Sequence, residues 1–214
     1  MSRFVPQRLA SLHRRTPVGE TVALDRPVTY DDQRWADVLC GAGFNSTGER
    51  LWTLADSVAP RMQLLICGLN PSPASADDAV AFARPGNRFW PAMLAADLAI
   101  DDRDPTALLR DRKIGMTDIV KRTTRRADEL AAHEFVDGVA RVERLATWLA
   151  PEALCFVGLA GWRAAIDKRA KPGWQERLIG GRPAYVMPST SGLNASAQLP
   201  DLTEHLRIAS NPQG

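Results

Sequence analysis

From Met62 onward, short and mainly apolar runs alternate with stretches whose apolar residues recur at helical spacing. The runs 64–68, 116–120, 153–157 and 184–187 are too short for helices, which predicts strands. Between and after them the spacing predicts helices over 87–97, capped by Asn87, and over 105–111, 133–149, 161–169 and 200–209. Parallel strands need crossover connections, and helices that make those connections come to lie on the sheet's faces. The pattern therefore predicts an α/β fold: a single three-layer domain over 61–210 with a central, mainly parallel β-sheet flanked by helices. Residues 1–60 show only two amphipathic stretches, 35–39 and 51–58, and read as an N-terminal extension of unspecified structure. Residues 211–214 read as a C-terminal tail.

Composition narrows the class. A chain of 214 residues suits one full core. It has no apolar run of membrane-spanning length, and its first residues lack the apolar centre of a secretory signal. These features predict a cytoplasmic protein with no membrane partner, read as a monomer. Cys40, Cys67 and Cys155 lie far apart without CxxC or Cys/His spacing, so they read as free thiols and the chain needs no metal and no cofactor. The net charge of +2 says little, whereas Arg110, Arg112, Lys113, Lys121, Arg122, Arg125 and Arg126 are concentrated in one segment. Such a cluster reads either as a solvated face or as a surface for a polyanion.

In open α/β sheets, sites gather beyond the carboxyl ends of the strands. The loop after the first strand carries Leu69-Asn70-Pro71, then Phe82 and Pro85-Gly86-Asn87-Arg88-Phe89-Trp90. Pro71 holds Asn70 extended at the strand end, although Asn-Pro alone also reads as a simple turn. Asp118, in the second strand, lies near Lys121, Arg122 and Thr124; it is either a site carboxylate or the partner of one of those cations. After the last strand, Ser189-Thr190-Ser191-Gly192-Leu193-Asn194 forms a small hydroxyl-rich loop whose leucine either projects or tucks inward.

Taken together and in order, these segments resemble the mismatch-specific uracil/thymine DNA glycosylases, family 2 of the uracil-DNA glycosylase superfamily. The resemblance spans roughly 62–206. It implies a monofunctional glycosylase that flips uracil, or a related damaged or mismatched base, out of DNA and hydrolyses its bond to deoxyribose. Asn70 would position the attacking water. Phe82 would stack on the flipped base, with Leu69 and Asn87 beside it, and Thr124 would buttress Asn70. Asp118 falls where members vary, a position tied to base recognition or catalysis. Leu193 would wedge the duplex, within a DNA-contacting loop of Ser189, Ser191, Gly192 and Asn194. Ser72, Asp77-Asp78 and Ala195 depart from the family pattern, so mismatch preference does not follow from the resemblance.

Two other functions fit parts of the pattern: a non-catalytic binder of DNA lesions, and an enzyme of free nucleotides. The second lacks GxxxxGK[ST], GxGxxG and the HxE/PCxxC pair of zinc deaminases. Gly158-Leu159-Ala160-Gly161 reads as a phosphate cradle or as a plain strand-to-helix turn.

Overall fold

The computed structural model describes residues 4–212. Its strands are β1 (Leu64–Gly68), β2 (Ile114–Asp118), β3 (Ala153–Val157), β4 (Gly173–Ile179) and β5 (Arg182–Met187). They form one sheet in the order β2-β1-β3-β5-β4, parallel except for β4, which runs antiparallel to β5. The helices are α1 (Val5–Arg15), α2 (Asp32–Ala42), α3 (Pro73–Asp78), α4 (Phe89–Ala95), α5 (Pro105–Arg112), α6 (Ala132–Leu149), α7 (Leu159–Ala165) and α8 (Leu199–Ala209). The α/β class and mainly parallel sheet are as the sequence predicts.

Two-residue alternation along each strand divides the core into two layers. Leu64, Ile66, Cys155 and Met187 face Phe89, Trp90 and Met93 of α4 and Leu202 and Leu206 of α8. Their neighbours Leu65, Cys67, Leu154, Phe156 and Val186 face Val139, Val142, Leu145 and Leu149 of α6 and Trp162 of α7. Strands buried on both faces have no polar side to show, which is why the sequence gives continuous apolar runs here.

Several boundaries differ from expectation. β2 begins two residues earlier and ends at Asp118, where its register with β1 closes at Gly68. Beyond it the Ile119 and Val120 amides still bond the Gly68 and Leu69 carbonyls, at 2.9 and 3.0 Å. α4 begins at Phe89 with Arg88 as its N-cap; the Asn87 Oδ1 still accepts from the Phe89 N–H at 2.9 Å. α7 covers Leu159–Ala165, ahead of the expected 161–169, because the chain turns directly from β3 through Gly158. The expected amphipathic stretch 51–58 is not a helix. It enters the core as an irregular segment: Leu54 joins one layer and Val58 the other. Ser57 bridges Met116 on β2 through two backbone hydrogen bonds of 2.9 and 2.8 Å.

α1 and α2 close a smaller cluster of Leu9, Val38, Leu39, Ala42 and Phe44, with Trp148 of α6 against it. Among the described residues, no helix is long and apolar enough to cross a membrane. Residues 1–3, where the expectation of an absent signal begins, and 213–214 of the expected tail lie outside the described residues.

Candidate active site

The carboxyl ends of β1, β2, β3 and β5 open onto one cleft of about 780 Å³. Leu69, Asn70, Phe82, Asn87, Asp118, Thr124, Ser189, Ser191 and Leu193 all line it. Of the residues to which the resemblance gives a site role, only Gly192 and Asn194 do not. Gly192 packs on Gly86, and Asn194 braces its own loop through Nδ2 to the Ser189 carbonyl, 2.8 Å.

Asn70 is held by one end of its amide. That end donates to the Thr124 hydroxyl at 2.8 Å, the Arg122 carbonyl at 2.9 Å and the Pro71 carbonyl at 3.2 Å. Three acceptors around one atom identify it as the nitrogen. The amide oxygen is thereby left as the uncommitted acceptor of a residue on the cleft wall. Thr124 passes its own proton to the Arg126 carbonyl at 2.8 Å, which fixes the hydroxyl as an acceptor toward Asn70. The Asn-Pro segment thus carries a side chain held by three partners.

Asp118 is buried at 6 % exposure and does not pair with either cation beside it in sequence. Lys121 turns instead to the Asp56 carboxylate, 2.8 Å, and the Leu54 carbonyl, 2.5 Å. Arg122 binds Glu134 through two bonds of 2.8 Å. Asp56, which no sequence motif marks, is the anion of a buried network: it accepts from Lys121, from Arg141 at 3.0 Å and from the Thr117 hydroxyl at 2.8 Å. Burial opposes its charge, but Lys121 and Arg141 outweigh burial and hold its carboxyl below the usual range. Asp118 receives the opposite treatment. Burial pushes its carboxyl up to about 6, the Asp56 charge adds to the rise, and Lys121 and Arg141 oppose it only in part.

Gly68 makes room for this carboxyl. A Cβ there would stand 2.3 Å from Asp118 Oδ1, so only glycine lets the end of β2 lean over the end of β1. The same imaginary atom would be 3.5 Å from the tip of the Phe82 ring, which places ring and carboxyl on one side of the strand end.

Phe82 stacks on Phe89 with ring centroids 4.1 Å apart and planes inclined by 20°. Its backbone sits at φ 58°, an uncommon conformation for a bulky side chain and a mark of local strain. One ring face is thus backed by the core while the half-buried side chain lines the cleft. Leu193 projects: it is 80 % exposed at the tip of the β5–α8 loop, so the inward-tucked alternative does not hold.

The basic segment is mostly spent on internal pairs. Arg110 binds Asp111, Arg112 binds Asp97, and Lys121 and Arg122 are engaged as above. Arg84, Arg125 and Arg126 line the cleft, and only Arg126 has an ion-pair partner, Asp128, among the described residues. Spacing alone does not separate these from the paired ones. Gly158, Leu159 and Ala160 also form part of the wall, as a strand-to-helix turn leading into the short α7.

Two comparisons bear on the fold and the family. A solution NMR structure of a Methanosarcina acetivorans protein, provisionally assigned as a uracil DNA glycosylase, is similar over 76 % of this chain and 98 % of that one. The TM-score is 0.54 and the sequence identity 20 %, a likeness of fold. The sequence profile of the Uracil DNA glycosylase superfamily matches residues 55–209, a span that begins just before Asp56 and contains the whole cleft. The chain belongs to the uracil DNA glycosylase superfamily.

Proposed function

We propose that this protein is a monofunctional DNA glycosylase of the mismatch-specific type, which flips uracil or a related damaged or mismatched base into the cleft and hydrolyses its N-glycosidic bond, initiating base excision repair. The observation that carries this reading is the Asn70 amide, clamped through its nitrogen so that its oxygen is left free, in a cleft that a buried carboxyl and a backed aromatic ring also line. A non-catalytic lesion binder has no use for that clamp.

Extruding a base costs a few kcal/mol of stacking and pairing. Phe82 returns part of it as a stacking face, worth about 1–3 kcal/mol, and Leu193 fills the gap left in the duplex. Arg84, Arg125 and Arg126 supply charge for phosphates around the cleft mouth. Cleavage separates an oxocarbenium-like sugar from a pyrimidine anion, whose charge the backbone N–H groups at Leu69 and Asn70 would meet. The Asn70 oxygen orients a water toward the anomeric carbon, and Asp118 takes the proton that this water releases.

Uracil release from an oligonucleotide should proceed in chelator and leave an intact, alkali-labile abasic strand. No lysine lines the cleft as a Schiff-base nucleophile, and no cluster of three metal-ligating side chains occurs among the described residues. A borohydride-trapped adduct, or activity abolished by chelation, would contradict the assignment. A panel of single lesions (uracil, thymine opposite guanine, ethenocytosine, hypoxanthine and hydroxymethyluracil), each in single- and double-stranded form, would define the substrate range.

Leu193→Ala should slow excision from duplex DNA more than from single strands, because only a duplex has a gap to fill. Equal slowing on both would remove the wedge role.

A further inference from the structure

The β5–α8 loop, residues 188–198, carries Leu193 at an exposed tip and is braced within itself by Asn194, whose Nδ2 donates to the Ser189 carbonyl at 2.8 Å and whose backbone N–H donates to the Ser191 carbonyl at 2.9 Å. Ser191 N–H bonds Ser189 Oγ and Leu193 N–H bonds Ser191 Oγ, both at 3.3 Å. These bonds join the loop to itself, and a wedge that pushes into a base stack also needs an anchor on the rest of the fold. It comes from Arg88, a residue outside both the loop and the cleft lining.

The Arg88 guanidinium donates to three carbonyls of the loop: Ala197 at 2.5 Å, Asn194 at 2.6 Å and Ser191 at 3.0 Å. Its backbone N–H donates to a fourth, Thr190, at 2.9 Å. One residue therefore holds carbonyls that bracket Leu193 on both sides, from 190 to 197. Arg88 is in turn fixed as the N-cap of α4, whose next two residues, Phe89 and Trp90, are fully buried. Gly192 lets the loop approach the same 86–88 segment closely, since a Cβ there would come within 2.7 Å of the Gly86 carbonyl. Only a planar fork reaches several carbonyls at once; a lysine ammonium on its flexible stem does not reproduce that span.

We propose that Arg88 is a positioning residue that anchors the Leu193 loop to α4, so that the energy of inserting the wedge is transmitted to the base stack instead of being lost in loop movement. This rests on the reading of Leu193 as a wedge.

The test combines Arg88→Ala, Arg88→Lys, Leu193→Ala and the Arg88→Ala/Leu193→Ala pair, with single-turnover excision of uracil from duplex and single-stranded DNA and a melting temperature for each protein. Arg88→Ala should slow duplex excision on the order of tenfold and single-strand excision by less than about threefold. In the double variant the second change should add little on duplex DNA, since a wedge without its anchor is already ineffective. Arg88→Lys should fall between wild type and Arg88→Ala on duplex DNA, and it gives the same duplex-to-single-strand ratio to measure if the alanine variant does not fold. If Leu193→Ala is duplex-selective but the Arg88 variants slow both substrates equally, or their effects add in full to that of Leu193→Ala, the anchor role is overturned while the wedge stands. Should Leu193→Ala itself show no duplex selectivity, the wedge reading falls and the anchor proposal with it.

Discussion

Asn70→Ala is expected to lower single-turnover excision of uracil at least about a hundredfold, the scale on which a positioned catalytic group acts, while leaving affinity for DNA nearly intact. The separation follows from how the side chain is held. Its nitrogen is committed to Thr124, Arg122 and Pro71, all in the protein, so only its oxygen is offered to the reaction. The cleft-lining arginines and the Phe82–Phe89 stack do not depend on it. Loss of these three bonds should cost about 3 kcal/mol of stability, at about 1 kcal/mol for each net hydrogen bond, which is less than the roughly 5–15 kcal/mol that holds a typical domain folded. The fold thus survives for the comparison. Single-turnover rates and DNA-binding titrations on the same preparation check both halves, and a fully active variant would end the assignment of Asn70 as the residue that orients water.

Asn70 illustrates what a sequence can carry. The strand it follows is buried on both faces, so its boundaries are legible as an apolar run, and Pro71 fixes the backbone beyond it. β3 is legible for the same reason. β4 is not, because it is an edge strand with one mostly exposed face, and Gln175, Glu176 and Arg177 resemble a loop. The signal that finds it is Gly180-Gly181, both at positive φ, a two-residue turn between Ile179 and Arg182. α3 hides likewise behind Ser72-Pro73, a cap followed by a proline at the first helical turn. Asp56 and Arg88 were beyond reach for another reason. Each acts through partners 61 to 109 residues away in sequence, and nothing local distinguishes a half-buried arginine that gathers carbonyls from a solvated one.

Asp118 is where catalysis and stability should pull in opposite directions. As the group that takes the water's proton it must be ionised, so the single-turnover rate should climb with pH through about 6 and then level off. Asp118→Asn should erase that limb and lower the plateau steeply for every lesion. If the residue reads the base instead, the change would redistribute rates between uracil and hypoxanthine without flattening the profile. Stability carries the opposite sign. A carboxyl raised from 3.8 to about 6 by folding binds its proton more tightly in the native state, so stability falls as pH rises through that window. Above it, ionised Asp118 costs the fold about 3 kcal/mol, at 1.36 kcal/mol for each tenfold change in proton affinity. The neutral asparagine does not bear this cost, so Asp118→Asn should melt higher than wild type at pH 8 and show little difference at pH 4. Thermal melts at the two pH values, run beside the rate profiles, test whether burial against Asp56, Lys121 and Arg141 is what sets this carboxyl. Equal melting shifts at both pH values would mean that the carboxyl is solvated like any other. A variant that is slower and yet more stable at pH 8 would show that the protein keeps a buried charge at the end of β2 against its own folding energy, for the sake of the proton it accepts there.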